Sequence, residues 1–448
     1  MRVDRSLLST GGIESRRAGT IALTILLIAY LSIATLYAAL TPAWQVPDEP
    51  AHYNYVRSLA EGEGLPVLAE EDYDQAYLRR LTSEGFPEEL SVGSLTYEDH
   101  QPPLYYLVAT PIYVIFDGAL LPLRLVSVVL GTALLIIAFS AVATIFPKRR
   151  ALGLMAAAFV AFIPQHVAMT AGVNNDTLAE FVVAGTLWAL VRYLDKRHPK
   201  PWSVGILLGT ALLSKTTAYV VVGVAATAVL MRTCREGRTT RWALGQMGWM
   251  FGPALLLSAP WFVRNGLTYG WSDPLGLARH AAVVQGQPRT SEWLVAHGWL
   301  GLLTRLGRTT FHSFWGQFGW MAVPLPARFY RGLAVLSALL GAGFLARVIR
   351  CRRATRGRPL MVHRCLLLAL SALLTVSAFV WYNLTFVQHQ GRYLFPALVP
   401  LATAASLGLE TLTDAFPRRL DAGVRVAFFV GLAVFDVYCL FRIILPNL

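Results

Sequence analysis

The sequence predicts an all-α integral membrane protein, a polytopic bundle of about eleven transmembrane helices. Of the 448 residues, 55% are apolar and only 15% are charged, whereas a soluble protein carries about 25% charged residues. Apolar runs of roughly 20 residues, the length that crosses a bilayer, recur along the chain. Short basic clusters separate these runs. This pattern excludes an ordinary cytosolic enzyme.

The first predicted span runs from Thr20 to Leu40 and follows Arg16 and Arg17. We interpret it as a retained helix, because its apolar run is longer than that of a signal peptide and no small-residue cleavage site follows it. The other predicted spans are residues 120–146, 151–172, 177–194, 202–214, 217–231, 242–264, 331–349, 361–382, 393–412 and 423–444.

Lysine and arginine clusters predict which side of the membrane each loop occupies. The clusters that fall on one common side are those at 148–150, 196–200, 232–241, 347–358 and 418–419. We assign that side to the cytoplasm of a bacterial-type plasma membrane, which puts the N-terminus inside and the C-terminus outside. The short apolar segment from Pro103 to Phe116 is assigned to the interface, because counting it as a span would move the first cluster outside.

The chain is interpreted as one transmembrane module over residues 1–448 with two long outer loops. Residues 42–102 form an acidic loop, since 13 of the 26 acidic residues lie between Asp48 and Asp99. Residues 265–330 form a loop rich in tryptophan and arginine. The net charge of +13 therefore comes from short loops that set topology, and no nucleic-acid partner is predicted.

The first outer loop opens with the segment QVPDEPAHYNYVRSLAEGEG. Pro50 suits the first turn of a helix, and Glu49 or Asp48 suits its cap. Asp48, His52 and Tyr55 then share one helical face. One interpretation is a capped interfacial helix and nothing more. The other is a general base, because a carboxylate just beyond a transmembrane helix is partly desolvated and its pKa is raised.

Two cations stand at outward turns. Lys215 separates two short apolar spans, so it either extends to the interface or meets an anion, and a lipid-linked phosphate is the natural partner. Arg392, followed by Tyr393, lies at the outer mouth of a late span. Its planar guanidinium matches two phosphate oxygens at once. The sequence therefore predicts a phosphate-binding pair at the outer surface.

Six further segments follow one another on the outer side or lead to it. They are HQPPLYYL at 100–107, LPLRLVSVVLG at 121–131, GILLGTALLSKTTA at 205–218, SAPWFVRNGLTYG at 258–270, FWGQFGW at 314–320 and QGRYLFPALVP at 390–400. With the Asp-Glu pair, the chain resembles the GT-C glycosyltransferases, polytopic enzymes that move a sugar from a polyprenyl-phosphate carrier to an acceptor outside the membrane. It resembles the protein mannosyltransferase and aminoarabinose transferase branch, and a bacterial membrane family of unassigned function in the same clan.

The resemblance implies a GT-C fold with short amphipathic, interfacial helices in the first outer loop. It also implies an inverting, single-displacement transfer with Asp48 as the general base. It implies that Glu49 and His52 orient the acceptor or the lipid phosphate, and that Lys215, Arg392 and Tyr393 contact the phosphate or the sugar. One departure is that the basic residue of that branch follows the Asp-Glu pair after one residue, whereas His52 follows after two.

The resemblance also puts a second acidic residue, Asp176, in an outward turn. Together with Asp48 it is a candidate to hold Mg or Mn against the leaving phosphate, because both ions prefer oxygen ligands. The alternative is that Asp176 caps the helix that begins there. Asn175, beside it, is a candidate contact for sugar hydroxyls.

The predicted partners are therefore a polyprenyl-phosphate-linked sugar donor, an extracytoplasmic glycan, lipid or protein acceptor, and the bilayer itself. The alternative is a transporter or flippase of lipid-linked glycans without transferase activity. A transporter needs polar groups that reach from one face of the membrane to the other, whereas the polar groups here concentrate at the outer ends of the spans. A third possibility is a structural subunit that keeps the fold without the activity.

Overall fold

The computed structural model describes residues 5–195, 199–354 and 359–448. Helices dominate this part of the chain, and they are α1 (Arg5–Leu40), α2 (Glu49–Ala60), α3 (Gln75–Ser83), α4 (Leu104–Ile115), α5 (Leu120–Ile145), α6 (Arg150–Ala161), α7 (Pro164–Thr170), α8 (Asp176–Tyr193), α9 (Pro201–Leu212), α10 (Val220–Glu236), α11 (Thr240–Tyr269), α12 (Leu277–Val283), α13 (Thr290–Trp315), α14 (Ala327–Ala354), α15 (Pro359–Asn383), α16 (Leu398–Thr413) and α17 (Arg418–Cys439). Short 3₁₀ segments at Glu70–Asp72, Thr216–Tyr219 and Gly391–Ala397 and a π-helical turn at Leu440–Ile444 complete the helical structure. Strands β1 (Gln317–Phe318) and β2 (Val323–Pro324) form a small antiparallel hairpin. Lys196 and Arg197, and residues 355–358 of a predicted basic cluster, lie outside the described residues.

The chain is a multi-pass membrane protein, as predicted. Within the described residues, seven helices are long and apolar enough to cross a bilayer, and a bent pair makes an eighth. The seven are Arg17–Leu40, Leu120–Ile145, Thr216–Glu236, Ala327–Arg350, Leu360–Tyr382, Gly391–Thr413 and Leu420–Ile444. The predicted spans on α8, α9 and α11 are helices that fall short of the same standard, so eleven spans stays a prediction.

The bent pair is α6 and α7, whose axes differ by 69°. Pro164 begins α7, and the residue before a proline is disfavoured in the helical conformation, so the predicted span at 151–172 breaks there. The break frees the carbonyl of Val160, and Nδ1 of His166 lies 2.9 Å from that oxygen. On the other side of the ring, Nε2 of His166 lies 2.9 Å from Glu180. The buried His166–Glu180 pair therefore stabilises the bend.

Glycine allows the closest helix contact in the bundle. A Cβ atom on Gly408 of α16 would lie 2.1 Å from the carbonyl oxygen of Leu340 on α14. A Cβ atom on Gly343 would lie 2.5 Å from the carbonyl oxygen of Gly408. Small residues that let helix backbones approach are the usual packing device inside membranes. This contact brings α16, and the Gly391–Ala397 turn before it, firmly against the bundle.

The two outer loops pack on each other above the bundle. The backbone N–H of Leu68 donates to the Tyr269 hydroxyl at 3.0 Å, and Arg279 Nε donates to the Leu68 carbonyl at 3.1 Å. A small apolar cluster that includes Tyr73 of the first loop and Val284 of the second surrounds these bonds. The first loop contains the helices α2 and α3, and the segment 103–116 forms the 12-residue helix α4. That these helices lie in the membrane interface stays a prediction.

Candidate active site

Asp48 stands at the start of α2, but it does not cap the helix. Its φ is 67°, in the left-handed region, and its side chain makes no capping bond. For a residue other than glycine this conformation costs about 1–2 kcal/mol. The carboxylate instead accepts hydrogen bonds from the Tyr97 hydroxyl at 2.9 Å and from Arg392. The capping interpretation is therefore wrong for Asp48, and its carboxylate faces a cavity.

That cavity, the active-site cavity, has a volume of about 200 Å³ and lies between the two outer loops and the turn before α16. Its lining is polar and aromatic, and the main side chains are Asp48, Gln75, Tyr97, Glu98, His280, Gln287, Trp320, Tyr382, Gln388, Gln390, Arg392 and Tyr393. Amide, hydroxyl and aromatic groups of this kind suit a hydroxylated ligand with apolar ring faces. Of the predicted site residues, Asp48, Arg392 and Tyr393 line it.

Arg392 reaches Asp48 because the Gly391–Ala397 turn, in which it lies, packs closely against α13. The Gly391 N–H donates to Ser313 Oγ at 2.7 Å. A Cβ atom on Gly391 would lie 2.4 Å from the Thr310 carbonyl oxygen, so only glycine fits at this contact. Arg392 is 8% exposed, and its Nε has no hydrogen-bond partner. The guanidinium thus retains one buried donor beyond its ion pair with Asp48.

A second ion pair lies close by, between Lys215 and Asp176. Lys215 Nζ is 2.7 Å from Asp176 Oδ1, and Lys215 is 8% exposed. Lys215 therefore meets an anion and does not extend to the interface. Asp176 occupies the first turn of α8 after Asn175, and neither residue caps the helix with its side chain. The expectation that Asp176 is a helix cap is wrong.

His52 and Asn175 lie behind Asp48 and do not line the active-site cavity. His52 Nδ1 is 2.9 Å from the Tyr106 hydroxyl, and Asn175 Nδ2 donates to the same hydroxyl at 3.4 Å. Burial, together with the nearby Lys215 charge, lowers the pKa of His52 to about 3. A neutral, enclosed imidazole offers no cation to a phosphate, so the structure does not support the phosphate contact expected of His52.

Glu49 forms a buried ion pair with Arg124 and does not face the active-site cavity. It is completely buried, and its two carboxylate oxygens accept from Arg124 Nε at 2.8 Å and Nη2 at 2.7 Å. The backbone N–H groups of Val173 and Trp44 donate to the same carboxylate at 3.1 Å. With its acceptor sites filled, Glu49 fixes the loop instead of orienting a substrate, which corrects the expected role.

Tyr97 and Glu98 line the active-site cavity, although sequence reasoning did not select them. Tyr97 donates to Asp48, and the Glu98 Oε2 atom is buried without a hydrogen-bond partner. Burial, reinforced by repulsion from Asp48, raises the pKa of Glu98 to about 8. By contrast, although burial is the largest single influence and raises the pKa of Asp48, the nearby Arg392 and His52 and the hydrogen bonds from Arg392 and Tyr97 together lower that pKa to about 2. The signal in the sequence is that Tyr97 and Glu98 lie three and two positions before the HQPPLYYL segment, which begins at His100.

The raised pKa of Glu98 predicts a pH dependence of stability. The folded protein keeps Glu98 protonated up to about pH 8, whereas the unfolded chain ionises it near pH 4.5. Between these two pH values the folded state therefore binds one proton more than the unfolded state. Stability is therefore lost as the pH rises through this window. We expect Glu98→Gln to match the wild type in melting temperature at pH 5 and to exceed it by at least about 2 °C at pH 9.

The exposed residue Glu63 provides the matched control, because Glu63→Gln removes the same charge from the surface of the same loop. Thermal unfolding of the detergent-purified chain across this pH range measures both variants. An equal gain in both variants, or no gain in Glu98→Gln at pH 9, would contradict the assignment.

The two predicted metal ligands do not fit a divalent ion in this arrangement. Asp48 is paired with Arg392, and Asp176 is paired with Lys215. Within the described parts of the chain, no group of three or more His, Cys, Asp or Glu side chains is placed to hold a metal ion. The fixed cations occupy the positions that a metal ion would take beside these carboxylates, and we derive no step through a metal.

These features define the class of the protein: a membrane protein with the GT-C fold, whose acidic site lies between its outer loops. The sequence resemblance predicted this fold. Residues 100–262 match the sequence model of the family described as dolichyl-phosphate-mannose-protein mannosyltransferase. That segment includes Asp176 and Lys215, whereas Asp48 and Arg392 lie outside it. No curated protein matches the sequence.

Solved structures share the fold over nearly the whole chain. ArnT from Cupriavidus metallidurans bound to undecaprenyl phosphate is 16% identical, with a TM-score of 0.52 over 93% of this chain and 63% of its own. The Archaeoglobus fulgidus oligosaccharyltransferase in its apo form is 15% identical, with a TM-score of 0.54 over 93% of this chain and 55% of its own. Its complex with an inhibitory peptide and a dolichol-phosphate gives a TM-score of 0.51 at 15% identity, over 93% of this chain and 54% of that one. The chain thus spans less than two thirds of the length of each.

Proposed function

We propose that this protein is an inverting glycosyltransferase that moves a sugar from a polyprenyl-phosphate donor to an acceptor hydroxyl on the extracytoplasmic face of a bacterial-type plasma membrane. The observation that carries the proposal is the Asp48–Arg392 pair, a carboxylate and a guanidinium that line one polar cavity. The fold shared with ArnT and with the archaeal oligosaccharyltransferase, structures that hold undecaprenyl phosphate and dolichol-phosphate, supports the donor class.

Asp48 is the proposed general base. Its carboxylate takes the proton from the acceptor hydroxyl as that oxygen attacks the anomeric carbon of the donor sugar. The bond between that carbon and the phosphate oxygen breaks, and the polyprenyl phosphate leaves with the bonding electron pair. Because attack and departure occur on opposite faces, the configuration at the anomeric carbon inverts. The Tyr97 hydroxyl, at 2.9 Å, holds the carboxylate in position.

Arg392 is the proposed contact for the leaving phosphate. Its guanidinium can bind two phosphate oxygens, and its buried Nε has a free donor for one of them. Lys215 adds a second positive charge near Arg392, and it forms an ion pair with Asp176. Tyr393, whose ring centroid is 5.4 Å from the Arg392 guanidinium carbon, supports the arginine from one face.

The ion pair gives this site an order of events. While Arg392 holds Asp48, the pKa of Asp48 stays near 2, and the carboxylate is a weak base. A phosphate that binds Arg392 competes for the guanidinium and weakens its bond to Asp48. The basicity of Asp48 then rises toward the value that a general base requires. The donor phosphate therefore prepares the base that activates the acceptor.

The proposal is tested with the purified full chain in detergent and a panel of short-chain polyprenyl-phosphate sugars. Release of polyprenyl phosphate and formation of a glycosylated acceptor are both measured. Turnover with one member of the panel supports the transferase. Donor binding without turnover across the panel, together with movement of the lipid between leaflets in liposomes, would contradict it and favour a lipid-linked glycan transporter.

Because Arg392 and Lys215 already neutralise the two carboxylates, we expect turnover to be independent of divalent ions. EDTA at a concentration that strips Mg and Mn should leave the rate within about twofold of the untreated rate. The assay is the polyprenyl phosphate release just described, with a metal-dependent glycosyltransferase in parallel to show that chelation is complete. Loss of turnover that added Mg or Mn restores would refute the expectation.

A further inference from the structure

A second cavity, the α13 cavity, lies beside helix α13 and is separate from the active-site cavity. Its volume is about 610 Å³, and its walls come mainly from α13, with Gln317 and Pro324 of the β1–β2 hairpin. The polar part of its lining includes His297, Arg305 and Arg308. No aspartate or glutamate lines it in the part of the chain that the structure describes. The α13 cavity is therefore positively charged.

The side chains in this lining include hydrogen-bond donors without partners. Arg305 Nε and Trp293 Nε1 are both buried, and neither has a hydrogen-bond acceptor. The Arg305 guanidinium carbon lies 4.4 Å from the Trp293 ring centroid, which fixes the arginine against the cavity wall. Among the described residues, neither Arg305 nor Arg308 forms an ion pair with a carboxylate. A partly buried arginine without an acceptor is costly, and an anion would satisfy it.

The same helix exposes a continuous apolar stripe. Val295 is 90% exposed, Leu300 is 80% exposed and Trp299 is 67% exposed. The helix kinks at Gly298, where φ is 66°, so Val295 precedes the kink, and Trp299 and Leu300 follow it. Leu303, one turn further along, is also exposed. A helix with a basic face beside a face of tryptophan and leucine is typical of one that lies in the membrane interface. An anion at the α13 cavity would therefore be close to lipid tails.

We propose that the α13 cavity binds the phosphate headgroup of a membrane lipid, with Arg305 and Arg308 as its ligands and the apolar stripe in contact with the acyl or prenyl chain. Free phosphate has the same headgroup chemistry, and the apolar stripe favours the lipid. The site is separate from the phosphate contact proposed for Arg392, so it does not depend on the proposed transferase activity. It is built on the helix that also supports the Arg392 turn, through Ser313 and Gly391.

The experiment measures lipid binding to the full chain by native mass spectrometry. The parent carries Asp48→Asn with Arg392→Gln, so that the active-site cavity offers no free arginine and no transfer takes place. The probes are dioleoyl phosphatidic acid, dioleoyl phosphatidylcholine with the same tails, and inorganic phosphate. On this parent, Arg305→Gln with Arg308→Gln is compared with Arg328→Gln plus Arg331→Gln, which removes two charges from exposed positions of α14.

We expect one equivalent of phosphatidic acid to bind the parent. The Arg305/Arg308 variant should bind it at least about tenfold more weakly, and the α14 control should change by less than about twofold. Equal binding of phosphatidylcholine, or unchanged binding in the Arg305/Arg308 variant, would overturn the proposal. Inorganic phosphate that displaces the lipid at equal affinity would overturn the lipid assignment and identify a free-phosphate site.

A melting temperature for each variant shows whether it is folded. If the double variant does not fold, Arg308→Gln alone serves the test, because Arg308 is exposed and its loss leaves the packing of α13 intact. That single variant should still weaken phosphatidic acid binding by at least about threefold, and an unchanged affinity would overturn the proposal. Since binding is measured without turnover, failure of the transferase proposal leaves this result unaffected.

Discussion

Replacing Asp48 with asparagine should reduce sugar transfer by about 10²–10⁴-fold, the contribution typical of a positioned general base. Asparagine has nearly the same shape and can still accept the hydrogen bond from Tyr97, so the cavity is expected to keep its form. The substitution removes only the group that takes the acceptor proton. Donor binding, measured by competition with a labelled polyprenyl-phosphate sugar, should stay within about threefold of the wild type or improve, because Arg392 is released for the phosphate.

Two controls separate this result from misfolding. Glu63→Gln removes an exposed carboxylate from the same outer loop and should leave turnover unchanged. Arg392→Gln should weaken donor binding, in contrast to Asp48→Asn. Turnover at the wild-type rate in Asp48→Asn would refute the role of Asp48 as the base, and the unpartnered carboxyl of Glu98 would then be the next candidate.

Replacing Glu49 with glutamine should destabilise the protein by about 3–5 kcal/mol, the usual cost of removing one partner of a buried ion pair. Arg124 and Glu49 are 3% and 0% exposed. Arg124 also donates to the carbonyl groups of Ala38 and Thr41, so the pair ties the end of α1 to the start of the first outer loop. Without the carboxylate, a buried guanidinium keeps its charge and loses its counter-ion.

The measurement is the free energy of unfolding in mixed detergent micelles. Arg80 and Glu84 form an exposed pair on α3, with side chains 59% and 46% exposed, so Glu84→Gln should cost no more than about 0.5 kcal/mol. The double variant Glu49→Met with Arg124→Met should cost less than the sum of the two single changes, because it leaves no charge unpaired. A loss below about 1 kcal/mol in Glu49→Gln would show that the pair does not stabilise the fold.

Local patterns in the sequence predicted the long apolar helices of this protein, whereas the break between α6 and α7 and the β1–β2 hairpin came only from the structure. Apolar runs of about 20 residues predicted the membrane helices, because a helix of that length satisfies its own backbone hydrogen bonds across the bilayer. Pro50 predicted the start of α2, and the short apolar segment at 103–116 coincides with the short helix α4. Lys215 and Arg392 were predicted as functional because a cation at the edge of an apolar span requires an explanation wherever its partner lies.

The partners of these residues were decided by the tertiary structure. Asp48 and Arg392 are 344 positions apart, and they meet because Gly391 fits against α13. The sequence left Asp48 open between a helix cap and a general base, and the left-handed backbone directs its carboxylate to Tyr97 and Arg392. The only local signal for Glu98 was its place shortly before the HQPPLYYL segment, because the burial of its carboxyl depends on the second outer loop, which lines the same cavity.

The sequence by itself thus determined a helical membrane protein with acidic and basic residues in the loops and turns between its apolar spans. Hydrophobicity, helix starts and charge placement are local properties that a few neighbouring residues set. The tertiary structure decided which charges neutralise each other. It made Glu49 a structural anchor through Arg124 and left Glu98 without a partner. The physical reason is that desolvation and ion pairing depend on every group within a few ångströms, whatever its distance along the chain.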